Sequence, residues 1–180
     1  MNWAHRSRYV LENVHTSMND LIESSKGSRT TSLATLKPKE IVDFVIEETD
    51  REWKQDWLDQ ANQISIFDYD EQSNLQVRKL VDKLPYNFYY RFLSEGDVNP
   101  RKLRIEDWEI GALYWNCLRN ADGDEQKAKY KVTQKYLDEF TNNKDLHFFL
   151  GTTKLHHYVS KNPFMIIGVY YPPLNQHLSF

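Results

Sequence analysis

The sequence predicts an α+β fold: an antiparallel-leaning sheet with two helices packed on it and an N-terminal strand-helix layer. Three observations lead there. Short aromatic and β-branched runs recur near residues 86–93, 102–106, 145–150 and 164–171, two longer helical patterns fall near 107–119 and 124–141, and aromatic residues form 14% of the chain. A chain of 180 residues buries enough surface to hold a core without disulfides. We expect residues 1–84 to form an N-terminal arm and strand-helix layer and 85–180 the α+β core, within one compact unit.

In chain order, Tyr9, Val10, Leu11 and Val14, followed by Met18, Leu21 and Ile22, predict one amphipathic segment. Small polar residues around Gly27 predict an exposed loop from Ser24 to Ser32, without a phosphate-loop pattern around Lys26 or Arg29. Ile41–Ile46 is rich in β-branched residues and predicts a strand, with a short helix as its rival. Trp53, Trp57, Ala61 and Ile64 recur at helical spacing after Asp50, which is placed to cap their first turn. Phe67 to Lys83 reads as a charged linker or partly helical excursion.

Phe88, Tyr90 and Phe92 alternate along one strand, Leu103 and Ile105 along a second, and the turn-rich Ser94–Pro100 makes them an antiparallel hairpin. Asp107 then precedes a helix whose Ile110, Leu113, Tyr114, Cys117 and Leu118 form a complete apolar stripe. Trp108, Ala112 and Trp115 lie on its other side, so this helix is either layered on both faces or uses Trp108 and Trp115 for oligomerisation. Ala128, Val132, Tyr136 and Phe140 recur every four residues and predict a one-sided surface helix. Two final strands follow, and the apolar run Phe164–Tyr171 predicts the central place in the sheet.

A net charge of −3 excludes global electrostatic attraction to nucleic acid, leaving local clusters. The single Cys117 can form neither an internal disulfide nor a cysteine-based zinc site, and its apolar stripe favours packing over a nucleophilic role. No apolar run approaches the roughly 18 residues of a membrane span, and Met1–Arg6 lacks a signal-peptide core, so a cytoplasmic, non-membrane protein is expected.

Three groupings carry chemistry. Glu106, Asp107 and Glu109 gather carboxylates at a strand-to-helix junction, where they can hold a divalent ion or act as an acid-base couple, although capping already accounts for Asp107 and Glu109. The acid-x-lysine of a restriction-type nuclease is absent there. Gly151–His157 gathers hydroxyls, Lys154, His156 and His157 after a strand; it reads first as an ordinary polar loop, and as a site it suits phosphate better than metal because adjacent histidines diverge. Arg91, Arg101, Lys102 and Arg104 flank the aromatic strand, with Arg78, Lys79 and Lys83 upstream, the arrangement by which single-stranded nucleic acid is held through stacking and phosphate contacts. Asp82, Glu95 and Asp97 dilute that field.

The segments Asp50–Trp53, Leu84–Phe92, Ile105–Gly111, Phe148–Thr152 and Ile166–Pro172 resemble an uncharacterised family of bacterial and archaeal proteins, over most of the chain. The resemblance implies no activity. Some members of that family carry a β-rich segment before the counterpart of Asn2–Arg6, so the chain is expected to be a shortened version or a C-terminal part. Others have paired cysteines in the hairpin tip, whereas Ser94–Arg101 has none.

The expectation is a non-catalytic module for nucleic acid or a protein partner, using Arg91, Arg101, Lys102, Arg104 and Lys154. The alternative is a metal-dependent phosphodiester hydrolase in which Asp107 and Glu109 hold the ion and Lys154 or His156 steers phosphate. No cofactor and no resident metal are expected. The site shared by these two readings requires the acidic corner and the histidine loop to lie near each other.

Overall fold

Val14–His15 (β1), Leu33–Leu36 (β2), His147–Thr152 (β6) and Phe164–Tyr170 (β7) form a four-stranded sheet in the order β1-β2-β6-β7. Glu40–Glu48 (β3), Tyr86–Leu93 (β4) and Arg101–Arg104 (β5) form a second, three-stranded sheet in that order. The computed structural model describes residues 3–26, 31–62 and 81–174. Helices Trp3–Val10 (α1), Met18–Ser24 (α2), Gln55–Asn62 (α3), Trp108–Asn120 (α4), Glu125–Thr133 (α5) and Lys154–His157 (α6) complete an α+β fold. More helices than the two expected are therefore present. Among the described residues no helix is long and apolar enough to cross a membrane.

By contact the chain divides into one unit of residues 1–46 and 88–180 and a second of 47–87. Within the second, Thr49 N–H donates to the Pro85 carbonyl at 3.0 Å, the Trp53 indole to Val81 at 2.9 Å and Lys83 to the Glu52 carbonyl at 3.1 Å. Its helix starts at Gln55, so Asp50 lies too far upstream to cap it and Trp53 precedes it. Most of the linker expected from Phe67 to Lys83, with Arg78 and Lys79, lies outside the described residues, as does the centre of the loop around Gly27.

In the first unit, the predicted single N-terminal segment is two helices broken by β1. Ser17 caps α2 by accepting from Asp20 N–H, which starts a new helix where one continuous segment was expected. The predicted single sheet is two, because parity selects the inward residues of a strand but not its partner. Phe44, Phe88, Tyr90 and Phe92 line the inner face of the three-stranded sheet. Phe148 of β6 stacks on Tyr90 at 5.0 Å and meets Phe92 edge-on at 5.1 Å, so the two sheets share one aromatic core. Tyr114 of α4 closes it beside Phe88, at 6.2 Å.

β6, not β7, occupies the inner place in its sheet. The apolar run of β7 is explained by its other edge, where Ile105 bridges Ile166 in parallel and Glu106 N–H donates to the Ile166 carbonyl at 2.7 Å. That rung joins the two sheets. Between Phe149 and Leu150 the β6–β7 register shifts, passing over Ile167 as a bulge.

The helix carrying Ala128, Val132, Tyr136 and Phe140 buries all four, as their spacing predicts. From Gln134 to Glu139 it widens into a π-helix, in which Phe140 N–H reaches back to the Lys135 carbonyl. The Tyr136 carbonyl is taken instead by the Tyr90 hydroxyl at 2.5 Å, so the core supports the wider turn directly.

Candidate functional site

Strict alternation along β4 buries Tyr86, Phe88, Tyr90 and Phe92 and turns Tyr89 and Arg91 to the opposite face. In β5 the same parity buries Leu103 and exposes Lys102 and Arg104. The antiparallel register then pairs Tyr89 with Arg104 and Arg91 with Lys102, so one ring and three cations share the outer sheet face. The Lys102 ammonium lies 4.6 Å from the Tyr89 ring centroid.

Asp43 and Glu106 are among the carboxylates that temper this face. Asp43, facing away from its buried neighbour Phe44, accepts from Arg91 at 2.8 Å, and its other oxygen is occluded without a hydrogen-bond partner. Glu106 pairs with Arg104 at 2.7 Å. Both pairs are roughly half exposed, where an ion pair contributes about 0–1 kcal/mol and is readily exchanged for another anion. Asp43 is not among the site residues expected from the sequence, although it is the only charged residue inside the apolar run Ile41–Ile46.

Arg101 belongs elsewhere. It pairs in register with inward-facing Phe92, and its guanidinium grips Asp97 at 2.6–2.8 Å and Asn19 at 2.7 Å. Ser94 donates both its N–H and its hydroxyl to Asp97. Hydrogen bonding by Arg101, then by Ser94, holds the Asp97 carboxyl down at about 2 against the opposing effect of burial.

The acidic corner and the histidine loop fall at different heights along β7. Asp107 caps α4 by accepting from Glu109 N–H at 2.9 Å, and its Oδ2 lies 4.0 Å from where a Cβ on Gly168 would stand. Glu109 is exposed. Burial, then the Asp107 and Glu109 carboxylates, push the Tyr136 hydroxyl well above its ordinary range. Thr152, which leads into α6, pairs instead with Phe164. From Phe164 to Gly168 is four residues of strand, roughly 13 Å. Lys154 and His156 are exposed beyond that point, so they and the pair Asp107 and Glu109 do not converge on one reacting centre.

His147 is buried with Nδ1 on the Asp145 carbonyl at 2.8 Å, while Asp145 pairs with Lys37 at 2.8 Å, so His147 does not join the loop histidines. Among the described residues no three His, Cys, Asp or Glu side chains gather to hold a metal ion. Cys117 is partly buried, and desolvation pushes its thiol up, away from the reactive thiolate. Trp108 is 79% exposed, whereas Trp115 is half-buried edge-on against Tyr114, so α4 presents one tryptophan outward rather than two.

These features define an α+β domain with an aromatic core and a basic, tyrosine-bearing outer sheet face. The chain belongs to the family described as a domain of unknown function (DUF8757), whose model matches residues 14–180. No curated protein and no solved structure matches it.

Proposed function

We propose that this protein is a non-catalytic binding module that takes single-stranded nucleic acid on the outer face of β3-β4-β5. The observation that carries the reading is the pair of adjacent cross-strand couples, Tyr89 with Arg104 and Arg91 with Lys102, on one face. A base stacks on Tyr89, for which Lys102 already marks an electron-rich ring, and the neighbouring cations meet the flanking phosphates. Glu106 yields Arg104 to phosphate at little cost because that pair is exposed. Arg101 and Lys154 are not counted in this surface, the first facing inward at the start of β5 and the second lying on α6.

Fluorescence anisotropy with a labelled single-stranded oligonucleotide tests this. Binding that weakens with salt, survives chelation and leaves the strand intact is the expected result. Tyr89→Ala is expected to cost about 1–3 kcal/mol of binding, the range for one stacked base. Affinity indifferent to Tyr89, Arg91 and Lys102 would refute the assignment, and metal-dependent cleavage abolished by Asp107→Ala would replace it with the hydrolase reading.

A further inference from the structure

In the turn after β6, burial is inverted relative to polarity. Of the run Leu155-His156-His157-Tyr158-Val159, only His157 is buried, with Nδ1 2.8 Å from the Thr152 hydroxyl. Leu155 is 75% exposed, and Tyr158 and Val159 are each 78% exposed. Thr153 caps α6 by accepting from His156 N–H, and Ser160 N–H returns to the His156 carbonyl at 3.0 Å, so the turn is fixed at both ends. A rooted imidazole thus holds three large apolar side chains in water. Leu33, in register with Gly151 at the root of the turn, is a fourth at 70% exposure.

Along the sequence, the charges that flank these side chains have one sign. All 26 acidic residues of the chain lie at or before Asp145, and from Leu146 to Phe180 the charged side chains are Lys154 and Lys161. Both flank the apolar tip and both are exposed. Aliphatic and tyrosyl side chains bracketed by lysines match the water–lipid boundary: the apolar groups enter the acyl edge, the tyrosine sits at headgroup depth and the ammonium groups meet lipid phosphates. Nucleic acid offers no acyl region for Leu155 and Val159.

We propose that the turn from Thr153 to Lys161 docks the protein peripherally on an anionic phospholipid surface. The interaction is independent of the nucleic-acid reading, since none of its residues lies on the β3-β4-β5 face.

The test is co-sedimentation with phosphatidylcholine vesicles with and without phosphatidylglycerol. The full chain is expected to sediment with the anionic vesicles only, and less at high salt. The double change Leu155→Ser/Val159→Ser is expected to lower partitioning at least about tenfold and the double change Lys154→Gln/Lys161→Gln about thirtyfold, the latter from roughly 1 kcal/mol per lysine near the surface. Tyr158→Trp on the otherwise unchanged tip, its emission read as the difference from the parent chain with its five tryptophans and quenched by brominated lipid, gives a readout that does not depend on how those doubles fold. Failure to sediment, equal sedimentation with neutral vesicles, absence of quenching, or a concentration-dependent dimer dissolved by Leu155→Ser/Val159→Ser would overturn the proposal.

Discussion

Ser94, Asp97 and Arg101 form a closed set at the hairpin tip, and Ser94 Oγ also accepts Met18 N–H at 3.1 Å, tying the tip to the start of α2. The Asp97 side chain is 4% exposed, so its charge is worth more than that of a surface acid. Because its folded pKa is depressed to about 2, the stabilisation is present above the ordinary carboxyl value of 3.8 and is lost as pH falls through about 2. Asp97→Asn is expected to cost about 2 kcal/mol at neutral pH, fading between about pH 4 and pH 2, in urea denaturation at stepped pH. A pH-independent difference would mean that the charge contributes nothing. Arg101 entered the phosphate-binding set because a guanidinium reads alike on either face of a strand. Parity with buried Leu103 held the information that separates it from Lys102 and Arg104.

At the scale of elements, the four-residue spacing from Ala128 to Phe140 was legible as a buried stripe, and its regularity contains more than that. Each four-residue step on an α-helix overshoots a full turn by about 40°, so a strict repeat drifts off its own face. The π-helix at Gln134–Glu139 takes back part of the drift and keeps Tyr136 and Phe140 in the core with Val132. Gly151 has a similar hidden reason: a Cβ there would stand 3.0 Å from Cγ2 and 3.1 Å from Cδ1 of Ile167, the residue the bulge throws across β6. Gly151→Ala is expected to destabilise by about 1–3 kcal/mol in thermal unfolding, as overpacking does. Adding Ile167→Ala should return most of that, giving a clear coupling in the double-mutant cycle. Neither the bulge nor the clash is visible without knowing that β6 and β7 are neighbours.

For the whole molecule, the strands from Tyr86 onward, the hairpin and the capped α4 were all readable, because each rests on local periodicity or a single cap. Division into two sheets was not, since it depends on contacts such as Phe148 against Tyr90 between residues far apart in the chain. The acidic corner and the histidine loop were expected together for the same reason, and the register along β7 sets them apart. Net charge also acts at this scale. With −3 overall, the chain repels a polyanion except at local faces, so oligonucleotide binding should weaken with salt only by the amount its few phosphate contacts dictate, and should form slowly at low ionic strength relative to a basic domain. Lys102→Ala is expected to reduce the slope of log K against log salt by about 0.7, the loss of one single-strand phosphate contact. An unchanged slope would place the phosphate elsewhere.

The backbone rung at Ile105 and Glu106 lies between Arg104, on the basic face, and Asp107, at the head of α4. Any ligand that draws Glu106 away from Arg104 therefore tugs a chain segment that is both the seam between the sheets and the lead-in to the helix. Occupancy of an open surface would then register as altered amide exchange at Glu106 and Glu109, positions that no ligand on that surface needs to touch.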